Sequence, residues 1–443
     1  MADRAAPETE VPTAMFCLAA LGAMGVGLTV WSEQLVERDH LGFLLLVGAQ
    51  SLIALGGAVI TRRAPDMTRL LAIVVVFAIA PRLYLMLQKP TLSGDIYRYV
   101  WDGRVDIAGF NPFLHVPASP ELAFLRDETI YPWVDKKDYA ITIYPPVSQA
   151  IFSVNALLGG RVTTLKALLL GLEGLGAAAL ISLLASLRLP RTLAVLYLWH
   201  PAPVWEIAAN GHSEAAVIGL MLSAFAWGVA RKRSYLAGAL IALGALVKPT
   251  AALALPSIWR PFDPRLPAFV LSVVLLCYAP FLSAGAGVLG FTGGYAREQG
   301  LGSGTQFYAL RLLAGDSAPP VSAVVAYYVV AAAVLLGLIV RACSRRDAAL
   351  ETSLTDTAAT LVTFLFFLSS DLPWYSLILL PFAALTGSWA CYAMPTAGFL
   401  LYPFGPNHLG LTPMMGATGY TVMAIAGILG DGARWARRRS GSA

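Results

Sequence analysis

Long apolar runs separated by short charged turns set the pattern of this chain. The first three cover about Thr13–Trp31, Gly42–Ile60 and Leu70–Leu87. Each can cross about 30 Å of hydrocarbon as a helix. Similar runs at about Thr164–Leu187, Thr192–Ala208, Ser213–Ala230, Leu266–Ser283, Pro320–Val340, Leu354–Ser369, Trp374–Ala390, Cys391–Tyr402 and Thr412–Gly430 predict further spans. Val147–Leu158 is apolar too, but at roughly 18 Å as a helix it is too short to span, so it is placed at the outer interface. Tyr235–Val247 and Ala251–Ile258 are short and broken by Lys248-Pro249, which reads as a hairpin or broken helix with the lysine near its outer tip. The fold class expected is all-α: a polytopic transmembrane bundle of roughly 12–14 spans, with interfacial helices in the first long outer loop.

Composition strengthens this reading. Of 443 residues, 57% are hydrophobic and only 13% charged, against about 25% charged in soluble domains. The net charge of +5 sits in short turns, which suits topology control better than nucleic-acid binding, and no nucleic-acid motif is present. Arg62, Arg63, Arg69, Arg188, Arg191, Arg231, Lys232, Arg233, Arg345, Arg346 and the tail Arg434 to Arg439 mark cytoplasmic turns. The four cysteines lack metal-ligand spacing, and disulfides are not expected. The first apolar run follows an acidic segment without a cleavage site and is retained as a span.

The longest early polar interruption runs from Leu92 to Gln149. If Asp95–Asp106 is helical, Asp95, Arg98, Tyr99, Asp102 and Asp106 share one face. The bland reading is a solvated Arg98–Asp102 pair on an interfacial helix. The parity of the spans brings Asn210-Gly211-His212-Ser213-Glu214, Lys248-Pro249 and Asp371-Leu372-Pro373-Trp374-Tyr375 to the Asp95 side. A second outer loop, Ala284–Ser317, is Gly-rich and carries Arg297, Gln299, Gln306, Tyr308 and Arg311, a composition that suits a lid. Carboxylates, cations and an apolar body together fit a lipid-borne anionic substrate, and no Walker, G-x-S-x-G, H-E-x-x-H or thiol motif competes. Each residue has a plainer role. His212 caps the next helix with Ser213, Lys248 snorkels to headgroups, Glu206 and Asn210 satisfy each other, and Trp374 and Tyr375 form an aromatic belt.

Gly94-Asp95-Ile96-Tyr97-Arg98-Tyr99, Gly109-x-Asn111-Pro112-Phe113 and Tyr144-Pro145-Pro146-x-x-Gln149 resemble the first outer loop of GT-C glycosyltransferases. They resemble in particular the bacterial polyprenyl-phosphate-mannose-dependent mannosyltransferases. His200-Pro201 with Glu206, Asn210-Gly211-His212 and Glu214 is similar to an Asn-Pro…Glu…Asn-Gly-His motif of those enzymes, and Lys248-Pro249 and Pro373-Trp374-Tyr375 also fit. His200 replaces the usual Asn, and Asp371 stands where a His often precedes Pro-Trp-Tyr.

The resemblance implies inverting hexosyl transfer, mannose favoured, from a polyprenyl-phosphate donor to a lipid or glycan acceptor. Asp95 would be the base, with Arg98, Asp102, Glu206 and Glu214 in catalytic or structural support. Lys248, His212, Arg297 and Arg311 would bind the donor phosphate. Tyr99, Asn111, Tyr144, Asn210, Asp371, Trp374 and Tyr375 would line the substrates. No cofactor is implied, and room is left for a divalent ion. Arg98 is expected to keep Asp95 ionised. The protein is expected in the inner (cytoplasmic) membrane with its site facing the periplasm. Residues 1–69 would form an N-terminal helix pair, 70–390 the catalytic core with outer loops 91–146 and 284–317, and 391–443 the C-terminal helices and basic tail. A transporter or lipid flippase is the alternative, although no repeated halves are visible.

Overall fold

Helices form where the apolar runs predict them, and their breaks build the site. The computed structural model describes residues 10–63, 68–259, 263–305, 307, 309–310, 312, 319–345, 349–368, 372–402 and 413–440. Among these no strand occurs, and the architecture is an all-α polytopic bundle. Of the first three helices, α1 (Glu10–Leu35) packs against both α2 (His40–Arg63) and α3 (Thr68–Met86). Two shorter helices follow, α4 (Asp95–Ile107) and α5 (Pro146–Leu157), and then the long α6 (Val162–Ser186). Among the described residues six helices are long and apolar enough to span, including Arg265–Glu298 and Val321–Cys343, or seven if one bent pair counts as a span. Other expected spans are shorter pieces, such as Pro373–Thr386 and Ala390–Leu401, and Ser234–Ala245 is short, as the broken-helix reading has it. Proline supplies no N–H and glycine weakens the helix, so the chain breaks at such positions. Large apolar side chains on the outer helices, among them Leu276 and Val321, face outward as a lipid-embedded surface requires.

The bundle is built around the stretch from Thr192 to Phe225, which is buried almost throughout. It contains one π-helical turn, Val204–Ala209, and runs into a second, Ala224–Val229, a geometry frequent at functional sites. Helices Pro201–Ala209 and Glu214–Val229 meet at a bend of 119°. Gly211 makes the bend with φ +72°, and a Cβ there would come within 2.2 Å of Ile96 on α4. Glycine adopts this left-handed conformation without strain, and any larger residue would also have to push the Ile96 side chain aside. His200 starts this segment as a cap: its Nδ1 accepts from Ala202 N–H at 3.1 Å and its Nε2 meets Thr396 Oγ1 at 2.9 Å. An asparagine oxygen could accept the same bond, so the departure from the family pattern keeps the cap.

The first outer loop is pinned to this core. Asn210 Oδ1 accepts from the N–H groups of Thr91 and Leu92 at 3.2 and 3.0 Å, and its Nδ2 donates to Trp205 O. Helix α4 lies so close to α5 that a Cβ at Gly103 would sit 2.1 Å from Phe152 O. Tyr99 stacks on Phe152 across this contact, and Ser153 Oγ donates to Asp106 at 2.5 Å. The N–H groups of Val147 and Ser148 donate to Leu246 O, which carries α5 to the break at Lys248. Asn111 Nδ2 donates to Ser283 Oγ at 2.8 Å, and Phe291 N–H donates to Thr142 O at 3.0 Å. The two outer loops are thereby tied together.

Candidate active site

The loops and breaks enclose a cavity of about 700 Å³. Its lining combines polar side chains, among them Asp95, Lys136, Tyr144, Lys248 and Tyr375, with apolar ones such as Leu289, Phe364, Leu365 and Leu368. Asp95 opens α4, and the carboxylate looks into the cavity with 31% of the side chain accessible. Its Oδ2 lies 3.5 Å from Tyr99 OH and 3.9 Å from His212 Nδ1. Burial raises the Asp95 pKa above the ordinary carboxylate value, and Asp135 adds to the rise, while Lys248 and Lys136 pull it down. A carboxylate with raised pKa is a better proton acceptor once ionised.

Arg98 does not supply the charge that was expected to hold Asp95 ionised. Its Nε donates to Asp102 Oδ1 at 2.7 Å and its Nη1 to Ala140 O at 3.0 Å. Nor is this pair solvated, since both side chains are buried. Thr142 Oγ1 donates to Asp102 Oδ2 at 2.6 Å and accepts from Gln149 Nε2 at 2.8 Å, closing the network. Buried ions persist when they are paired and hydrogen-bonded in this way. Asp102 therefore serves as the partner of Arg98, which also borders the cavity.

Lys248 is not an isolated cation. It pairs with Glu214 Oε1 at 2.5 Å and lies over the Tyr375 ring, 5.1 Å from its centroid. Its side chain lines the cavity and does not snorkel to headgroups.

His212 lies behind Asp95. It is fully buried, stacks on Trp374 at 4.2 Å, and neither ring nitrogen has a hydrogen bond. Its Nε2 is 3.4 Å from Glu206 Oε2, close enough for a charge interaction but without hydrogen-bond geometry. A ring enclosed in this way has no path to a phosphate in the cavity, so the phosphate role expected for it does not fit its position. It caps nothing either, since the helix starting at Glu214 has no side-chain cap. The Tyr402 hydroxyl donates its one proton to the Glu206 carboxylate, 2.8 Å from both oxygens, so Glu206 and Asn210 do not satisfy each other.

A family model described as MptA_B family, alpha-(1->6)-mannopyranosyltransferase, N-terminal domain, matches residues 12–260. The chain belongs to this family. It is a multi-pass membrane protein of mannosyltransferase class. No curated protein matches it. In this mannosyltransferase the matched stretch contains Asp95, Glu206, His212, Glu214 and Lys248, and the cavity is completed by Trp374 and Tyr375 from beyond it.

Of the remaining expected site residues, Tyr144 and Trp374 border the cavity. Tyr99 lies beneath Asp95. Asn111 and Asn210 are engaged in the loop ties described above, and neither borders the cavity. Arg297 is exposed and does not border the cavity. Arg311, Asp371, Gln306 and Tyr308 lie outside the described residues.

The structure also brings in residues that the sequence reading passed over. Lys136, Asp135 and Tyr295 line the cavity, and nothing in their local pattern separates them from other loop residues. Arg82 and Glu173 form a buried pair inside two spans, with bonds of 2.7 to 3.1 Å, joined by Tyr197 OH. Here a signal was available: a lone charge in an apolar run is costly and needs a partner. Among the described residues no three His, Cys, Asp or Glu side chains converge as a metal site.

Proposed function

We propose that the protein transfers mannose, with inversion, from a polyprenyl-phosphate donor to a lipid or glycan hydroxyl on the periplasmic face of the cytoplasmic membrane. The observation that carries this reading is one cavity lined both by Asp95 and Lys248 and by a set of large apolar side chains. A lipid-linked sugar phosphate uses both kinds of lining, whereas a soluble nucleotide leaves the apolar side chains unused. Asp95 takes the proton of the acceptor hydroxyl as its oxygen attacks the anomeric carbon. The bond from that carbon to the phosphate oxygen breaks, and polyprenyl phosphate leaves with one added negative charge. Lys248, fixed by Glu214 and Tyr375, faces that charge. The facing is supported by the basic turn Arg231-Lys232-Arg233, which lies at the far end of the helix from Glu214, about 24 Å along its axis.

The test incubates purified protein with polyprenyl-phosphate-mannose, polyprenyl-phosphate-glucose or GDP-mannose, each with extracted membrane glycolipids, and identifies products by mass spectrometry. Product from the lipid-linked mannose alone is expected. Product from GDP-mannose but from neither lipid donor would overturn the reading. Labelling of introduced cysteines should find positions 95 and 214 accessible from outside and 232 from the cytoplasm.

A further inference from the structure

The helix Thr292–Glu298 carries the second outer loop to the cavity, where it meets a lysine of the first loop. Lys136 pairs with Glu298 Oε2, and Tyr139 OH donates to the other carboxylate oxygen at 3.1 Å. The Lys136 ammonium lies over the Tyr295 ring, 5.8 Å from its centroid. Tyr295 OH meets Tyr375 OH at 2.5 Å, and Tyr375 carries Lys248 on its own face. Two hydrogen-bonded tyrosines thus lie in the cavity wall with a lysine against each ring, and all four residues line the cavity.

The carboxylates that balance the two lysines differ in one respect. Glu214 is buried, with 3% of its side chain accessible, so separating it from Lys248 would strand a charge. Glu298 and Lys136 are each 29% accessible, and a partly exposed pair is weak and readily exchanged. Lys136 also has φ +53°, a left-handed conformation uncommon for a residue with a side chain and concentrated at functional sites. A departing sugar phosphate gains a second negative charge, while Lys248 is already offset by Glu214.

We propose that Lys136 is the second cation of the donor-phosphate subsite, and that Glu298 holds it in the empty cavity until the phosphate displaces the carboxylate. The proposal rests on the lipid-phosphate donor proposed above. Exchange frees Glu298, and donor binding then loosens the grip of the helix Thr292–Glu298 on the first loop beside Asp95.

The experiment measures binding of a short-chain polyprenyl monophosphate, the matching polyprenol and inorganic phosphate to the full-length protein in nanodiscs. Lys136→Met should weaken the monophosphate by about tenfold or more and leave polyprenol unchanged, as expected for loss of a charged contact. Lys136→Arg should retain most of the affinity. Glu298→Gln should tighten monophosphate binding, because the competing carboxylate is gone. If the pair were only a strap, Lys136→Met and Glu298→Gln would weaken binding together, which refutes the exchange. A loss in Lys248→Met with none in Lys136→Met would remove Lys136 from the subsite while keeping the donor reading. Wild-type protein that binds polyprenol as tightly as the monophosphate, or inorganic phosphate as tightly as either, would overturn the donor reading itself.

Discussion

Replacing Asp95 and Asp102 by asparagine, one at a time, separates chemistry from structure on one face of α4. Asp95 accepts no short hydrogen bond, its nearest polar neighbours being Tyr99 OH at 3.5 Å and His212 Nδ1 at 3.9 Å. Its pKa is raised, first by burial. The folded state therefore binds this proton more tightly than the unfolded chain does. The resulting stability is present in full below the ordinary carboxylate pKa and is lost as pH rises through the raised one. At neutral pH the ionised carboxylate is a cost to folding that asparagine removes. Asp95→Asn should unfold at the same temperature as the parent or higher. The amide cannot take a proton, so transfer should fall by about 10²–10⁴-fold, or about 2.7–5.4 kcal/mol of barrier. Asp102 is the opposite case, since it balances buried Arg98 and accepts from Thr142. Asp102→Asn leaves that guanidinium uncompensated, at about 3–5 kcal/mol, a large share of a total stability of about 5–15 kcal/mol. Thermal unfolding by tryptophan fluorescence, beside initial rates of mannosyl transfer, reads both effects. An Asp95→Asn protein that keeps a tenth or more of the transfer rate, or an Asp102→Asn protein that is fully stable yet inactive, would refute the assignment of the base.

Three further outcomes are expected. The acid limb of the transfer-rate profile should lie above the ordinary carboxylate range, because activity falls as pH drops through the raised Asp95 pKa. Asp135→Asn should move that limb down and Lys136→Met should move it up, and unmoved profiles would count against Asp95 as the titrating group. Arg82→Met should destabilise the bundle by about 3–5 kcal/mol through the stranded Glu173, and Arg82→Met/Glu173→Gln should recover much of it, as thermal melts would show. Burial pushes the Asp127 pKa up, but hydrogen bonds from Ile130 N–H, Arg104, Thr129 and Tyr131 N–H outweigh it and hold the carboxyl well below its usual range. Its contribution is present above that range and lost as pH falls through the depressed pKa. Asp127→Asn should cost about 1.5–3 kcal/mol at neutral pH, read as faster amide exchange across residues 127–131.

The membrane class, the first three spans and the helix at Asp95 were legible in the sequence because each is local. Hydrophobic length and period decide such elements whatever the rest of the chain does. The break at Lys248-Pro249 was legible for the same reason, since proline ends a helix wherever it stands. Partnerships were not legible. Arg98 lies one turn from both Asp95 and Asp102, and only the approach of Thr142 and Ala140 turned it to the second. Lys248 read as an unpaired cation until the bend at Gly211 brought Glu214 to it. His212, a candidate phosphate ligand by motif, was sealed behind Trp374 by packing. Lys136 carried no mark at all, and it joined the cavity only because two outer loops distant in sequence close on each other. Short-range geometry follows from residue order, whereas the partner of a buried charge is chosen by whichever distant segment arrives to desolvate it.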